Sequence, residues 1–351
     1  MPEIALPGIT LPKISDLHLT AADDHDDGSR TRIDVHHHFC PPQWLEWAGR
    51  QGLVNPKALP PWARWDPSAA LDVMERAGIA TAVLKPMLPA RYETSAQLRE
   101  AITVVLRAAT EVVEAHPGRF AFHAPLFLDE PEVSTWALRH GLDDLGAVGV
   151  NVTANYGGVY LGDAAYDPVF AELNERAAVV DTHPHNLPGG PPGAVHVPGI
   201  PNFLCDFLLD TTRAAVNMIH KRTLDRFPNL SVILPHAGGF LPHIATRVQA
   251  FAGAFAPPVE PAMVRDHMSR FYYDTAGPMS PAATLLAAAG PDRILFGSDW
   301  PACPADMITD IAVPALTTDP ALTPAHHRAI NRDNALRLMP TLRTEPTRSN
   351  A

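Results

Sequence analysis

Residues 33–42 read IDVHHHFCPP: an apolar–acidic–apolar start, three adjacent histidines, then a close pair of prolines. Ile33, Asp34 and Val35 have the composition of a strand, and successive side chains on a strand point to opposite faces. Strict alternation puts Ile33, Val35 and His37 on one face and Asp34, His36 and His38 on the other. The face with Ile33 and Val35 then packs against something apolar. His36 and His38 become a pair aimed in one direction, with His37 apart from them. A short histidine run of this kind also suits a solvated strand end, so the rest of the chain has to decide.

Downstream, apolar strands and helices alternate. Asp66-Pro67 opens a helix as N-cap and first-turn proline, with Leu71, Met74 and Ala77 on one face and Gly78 ending it. TAVLK (81–85) follows as a strand, then a long helix over about Ser95–Ala115, then FAFHAPL (120–126). A helix around 132–140 leads to AVGVNV (147–152), and Asp167-Pro168 caps the next helix before AVVDTHP (178–184). Asp210-Thr211-Thr212 starts a helix running toward Phe227, and LSVILPH (230–236) follows it. A helix near 239–251 precedes FYYDTA (271–276), and PAATLLAAAG is helical before RILFGSDWP (293–301). Runs rich in Val, Ile, Leu and Ala without strict alternation indicate strands buried on both faces, as in a parallel sheet. Eight such units predict an α/β chain folded as a distorted (β/α)8 TIM barrel, with its active site at the C-terminal ends of the strands. A doubly wound sheet is the rival, but neither G-x-G-x-x-G nor a P-loop follows the first strand.

Composition narrows the class of function. The chain has 351 residues, 46% hydrophobic and 19% charged, as expected of a soluble globular protein. Its formal net charge of −11 argues against nucleic acid or an anionic membrane surface as partner. No run approaches the ~18 consecutive apolar residues of a membrane span. The opening MPEIALPGITLPKISDLHL lacks the basic start and unbroken apolar run of a signal peptide. Cys40, Cys205 and Cys303 are too few and too scattered for a disulfide framework, which points to a reducing cytoplasm. Residues 1–30, with the acidic AADDHDDGSR, read as an arm and linker, and 31–345 as the barrel. His25 belongs to that solvated charge run.

Polar residues recur at the predicted strand ends. His36 and His38 end strand one, His183 ends strand five, His236 ends strand six and Asp299 ends strand eight. Each follows an apolar run and precedes a proline or glycine, where the chain leaves the barrel. Gathered at one end, unpaired imidazoles and carboxylates would carry a desolvation cost that a divalent cation relieves. Imidazoles with a carboxylate form a fitting donor set for zinc or manganese.

The set His36-x-His38, His183-Pro184, His236-x-Gly238-Gly239 and Gly297-Ser298-Asp299 resembles the metal-dependent amidohydrolase superfamily. More narrowly it resembles the branch of aminocarboxymuconate semialdehyde decarboxylase and the ortho-hydroxybenzoate decarboxylases, and most nearly the 6-methylsalicylate type. GVYLGDAAYDPVFAELNER, DTTRAAVNMI, RFPNLSVILPHAGGFLPHIATR, FYYDTAG and INRDNALRLM extend the likeness over about residues 32–340. It implies that His36, His38, His183 and Asp299 hold one divalent metal per chain, zinc first and manganese second. It implies that His236 is an acid or base beside the ligands, and that Asp299 or the His236–water pair delivers a proton. GVNVTANYGG offers no bridging ligand at strand four, which favours a single ion. The implied reaction is non-oxidative decarboxylation of a small ortho-hydroxy aromatic carboxylate by a cytoplasmic homodimer or homotetramer. The same ligands could instead activate water against a lactone, ester or amide, and a non-catalytic metal-binding scaffold is the third reading. His37 and His185 are assigned structural or rim roles, and His243 a place outside the ligand set. Arg213 and Arg247 are read as surface ion pairs rather than substrate clamps. Trp300, Phe240 and Tyr160 are candidate aromatic walls, with core packing as the plainer account.

Overall fold

The decisive stretch forms a strand with one residue too many. On β1 (Arg32–Phe39), three steps from Asp34 to His37 face only two steps, Ala82 to Leu84, on β2 (Ile79–Pro86). That is a β-bulge, and it resets which residues share a face. Ile33 and Val35 point into the barrel, where they pack with Val83, Ala121, Val179, Ile233 and Leu295. After the bulge His36 and His38 also point inward, whereas His37 turns outward onto Trp300 and Phe120. Strict alternation is corrected here: His37 does not share a face with Ile33 and Val35. Asp34 pins the irregularity. Its carboxylate accepts the His36 N–H at 3.0 Å, the Ser298 N–H at 2.9 Å and the Ser298 hydroxyl at 2.6 Å, standing in for ladder partners that the bulge removes.

The computed structural model describes residues 27–60, 63–89, 91–185, 197–277 and 282–343. The remaining barrel strands are β3 (Phe120–Pro125), β4 (Gly149–Thr153), β5 (Val179–His183), β6 (Ser231–Leu234), β7 (Tyr272–Asp274) and β8 (Ile294–Leu295). Each pairs in parallel with the next, so all eight expected strands occur in one sheet. β8 and β1 close the ring irregularly, through Val35 N–H to Phe296 O (3.0 Å), Asp299 N–H to His36 O (2.9 Å) and His38 N–H to Trp300 O (2.7 Å). The chain is a (β/α)8 barrel. A two-stranded hairpin, Asn155–Tyr156 with Val159–Tyr160, interrupts the alternation after β4.

Two apolar layers hold this ring. The inner one is the floor formed by Ile33, Val35 and their partners, plugged from below by Ala335, Met339 and Leu342 of the C-terminal segment. The outer one lies between strands and helices and contains Phe39, Leu84, Phe122, Val152 and Leu234. The helix Ser95–Ala115 runs as expected, capped by Thr94 and burying Leu98, Ile102, Val105 and Leu106. Asp66 caps Pro67–Arg76 by accepting the Ala69 N–H at 2.9 Å, but the buried stripe is Ala70, Val73 and Met74, and Leu71 lies at its edge.

Two expected caps are corrected. The helix after β5 starts at Asp206, not at Asp210. Asp210 is buried inside that helix, where it accepts from Asn155 Nδ2 (2.9 Å) and the His185 N–H (2.6 Å). Asp167 caps nothing: Tyr166 precedes the helix Asp167–Glu175, and the Asp167 carboxylate pairs with Arg226. Residues 1–26 of the expected arm lie outside the described residues. From Asp27 the chain is tied to the body, with Asn331 Nδ2 donating to Asp27 O at 2.9 Å and Arg32 donating to Ser29 O at 2.5 Å. No helix among the described residues is long and apolar enough to cross a membrane.

Candidate metal centre

Strand ends bring four of the expected residues together. His36 and His38 come from β1, His183 from the last position of β5, and Asp299 from the turn after β8. Each offers one donor atom, and these atoms all lie within 4.8 Å of one another. His38 Nε2 is 2.8 Å and His36 Nε2 3.4 Å from the same Asp299 oxygen. Ring centroids of His36, His38 and His183 are 4.9–5.3 Å apart. His236 joins them from the turn after β6, with Nε2 3.7 Å from the other Asp299 oxygen.

Neighbouring groups orient the imidazoles. His36 Nδ1 donates to Asp274 Oδ2 at 2.8 Å, and His183 Nδ1 donates to Pro184 O at 2.8 Å. With those protons fixed on Nδ1, each ring presents the Nε2 lone pair. Asp274, at the end of β7, also accepts the His236 N–H at 2.8 Å, so one buried carboxylate fixes two histidines. Sequence reading missed Asp274, although FYYDTA ends a strand at the level of the others. It also missed Lys85, Asp181 and His123, which occupy the layer between the apolar floor and the cluster. Their signal was the two-residue spacing that puts Val179, Asp181 and His183, or Val83 and Lys85, on one inward face. Gly149 makes room for this layer, because a Cβ there would come within 3.1 Å of the His123 ring and 2.8 Å of Val179 O.

The turns that present His236 and Asp299 are strained. His236, Ala237, Gly238 and Gly239 have φ of 52°, 57°, 73° and 63°, and Asp299 has φ of 64°. Side chains other than glycine rarely adopt these values, and the cost is accepted chiefly at functional sites. Glycine is obligatory at 239, where a Cβ would sit 2.2 Å from Leu208 O.

Electrostatics suit a cation. Burial pushes His38 down to about 4 and His183 well below its ordinary range, so both are neutral donors near pH 7. Burial alone would raise the Asp299 carboxyl, but hydrogen bonds from His236 and His38 outweigh it and hold the group well below its ordinary value. Burial likewise opposes ionisation of Asp274, yet His36 and Lys85 hold it at about 2. His36 Nε2 and His38 Nδ1 are buried without a hydrogen-bond partner. An orphaned imidazole nitrogen, His36 Nε2, beside the ionised carboxylate of Asp299 is the pattern that a divalent metal satisfies.

Other candidates fall outside the cluster. His37 Nδ1 lies 3.1 Å from Asp34, and its ring packs 4.8 Å from that of Trp300, which is buried. His185 contributes its backbone to Asp210, and His243 is exposed. Arg247 lies over Phe251, with no carboxylate partner of its own among the described ion pairs. Tyr160 and Arg213 line a separate cavity of about 420 Å³, and the Phe240 N–H donates to Thr212. A cavity of about 1150 Å³ opens at the opposite end of the barrel, beside Arg32, Gly78 and Leu342, with the apolar floor between it and the cluster.

The family model described as Amidohydrolase matches residues 33–341. A decarboxylase of Penicillium terrestre is 33% identical over 294 residues, 79% of this chain and 86% of its own length. A 6-methylsalicylic acid decarboxylase of Aspergillus aculeatus is 30% identical over 332 residues, 89% of this chain and 97% of its own length. Among solved structures, the crystal structure of an amidohydrolase II superposes with a TM-score of 0.78 at 30% identity, covering 88% of this chain and all of that one.

Proposed function

Because the chain belongs to the amidohydrolase family, we propose that it is a carboxy-lyase that removes CO2, without oxidation, from a small ortho-hydroxy aromatic acid of the 6-methylsalicylate kind. The observation that carries this reading is near full-length kinship with a 6-methylsalicylic acid decarboxylase, 30% identical across 97% of that protein. One divalent ion per chain, zinc or else manganese, suits the three imidazoles and one carboxylate of His36, His38, His183 and Asp299. When bound there, it would supply a Lewis acid for the carboxylate and ortho hydroxyl of the substrate. Assembly as a homodimer or homotetramer belongs to the same proposal.

The remaining chemistry falls to the chain. An aryl carboxylate lacks an electron sink, so the ring carbon bearing the carboxylate must first take a proton. The resulting non-aromatic ketone accepts the electrons of the breaking carbon–carbon bond, CO2 leaves, and aromaticity returns. His236 and Asp299 form the proton-handling pair, 3.7 Å apart. Asp299 is held ionised by hydrogen bonds from His236 and His38, and His236 is assigned the part of carrying the proton to the ring. Asp274 fixes the backbone of His236 through the 2.8 Å hydrogen bond and so sets where that proton is presented.

Incubation with a panel of hydroxybenzoates, including 6-methylsalicylate, and of lactones tests the reading by product mass. An ortho-hydroxy acid is expected to lose CO2 while the lactones stay intact. Gain of water by a lactone, with no CO2 from any acid, would assign the site to hydrolysis.

A further inference from the structure

Beneath the four candidate ligands lies a buried cation that the reaction above does not use. The Lys85 side chain is fully buried, with Nζ 2.8 Å from Asp181 Oδ2, 3.5 Å from Thr182 O and 3.3 Å from His36 Nδ1. His123, also fully buried, places Nδ1 3.2 Å from the same Asp181 oxygen. Stability gives little reason for such a pair, because buried ion pairs are often matched or bettered by apolar residues of similar volume. One layer below, the same barrel is filled by Val83, Ala121 and Val179. The ion pair has a direction: its negative end lies beside His123, and its positive end faces His36. The His36 Nδ1 proton is already donated to Asp274. The ammonium therefore finds no lone pair on that atom and acts on the ring through space, across a buried interior that screens it weakly.

We propose that Lys85, anchored by Asp181, is a positioning residue of the metal centre that acts through His36, keeping this donor electron-poor. A less generous ligand binds the ion less tightly and leaves it more strongly electron-withdrawing toward what it holds. The pair thus exchanges metal affinity for reactivity. This inference rests on the reading of His36, His38, His183 and Asp299 as ligands.

The test compares Zn2+ dissociation constants of the full-length chain, measured by competition with a chelator, in two charge-free variants. Lys85→Met with Asp181→Leu replaces the pair by apolar groups. Lys85→Gln with Asp181→Asn keeps two polar groups of similar size and stands in should the first not fold. Partners beyond the ligands commonly change metal affinity by ~10–100-fold. A folded variant is expected to bind Zn2+ about tenfold more tightly while its kcat falls. A purely structural role could only leave affinity unchanged or weaken it, so either result in a folded variant overturns the proposal. Failure of both variants to fold assigns the pair to stability and overturns it as well. An unmutated chain that binds no Zn2+ would refute the ligand reading itself. Tight binding by the unmutated chain, unchanged in the variants, removes only the role of Lys85.

Discussion

Replacing Asp299 with alanine is expected to empty the metal site and reduce turnover to background. Asp299 is the one carboxylate of the set, and its oxygens reach His36, His38 and His236 together. Without it only the three imidazoles remain, and the anionic donor that offsets the ion's charge is gone. A metal acting as Lewis acid is worth several kcal/mol, and each ~1.4 kcal/mol is tenfold in rate. The loss in kcat/KM should therefore be about 10³-fold or more. Elemental analysis of the unmutated protein should find close to one equivalent of divalent metal, and the variant only a small fraction of it. Asp299→Asn serves as the companion, because asparagine tolerates the φ of 64° at this turn better than alanine does. Two equivalents in the unmutated protein, or full occupancy in both variants, would contradict the ligand set.

His236→Ala should separate binding from chemistry. His236 stands beside the ligands, with Nε2 3.7 Å from Asp299 Oδ2, and its backbone is fixed independently by Asp274. The variant should keep its metal and its fold, and lose the ~10²–10⁴-fold that a positioned general acid or base contributes. The loss should appear in kcat more than in KM, since the imidazole moves a proton rather than gripping the substrate. Metal loss in this variant would move His236 into the coordination sphere and displace one of the four.

Much of this architecture was legible in the chain, for identifiable reasons. Apolar runs mark the barrel strands, several of them ending at a histidine or aspartate, because strands buried on both faces need continuous Val, Ile and Leu until the chain emerges. Helix Ser95–Ala115 announced itself by its length. The bulge in β1 did not. One extra residue leaves no compositional trace, and it is held in place by contacts of Asp34 with His36 and with Ser298, distant in sequence. Strict alternation paired His36 with His38 correctly, yet set them opposite Ile33 and Val35, which in fact also point into the barrel. Lys85 and Asp181 were overlooked for a related reason. A charge on a short strand looks solvated until the strand that neutralises it is known. Asp210 misled in the same way, since an aspartate before two threonines resembles a cap. Burial against Asn155 and His185 explains it instead.

The most direct measurement of the central claim is decarboxylation run in deuterium oxide, with product and headspace analysed together. If the enzyme protonates the ring carbon that carried the carboxylate, the phenol product must hold one deuterium there, with one CO2 released per turnover. Uncatalysed exchange at that carbon is slow near neutral pH, so the label reports the enzyme's own proton transfer. Ring deuterium that disappears in His236→Ala along with CO2 release is the predicted result. Oxygen-18 from labelled water appearing in a carboxylate product, with no CO2 and no ring deuterium, would contradict the account and make the protein a hydrolase.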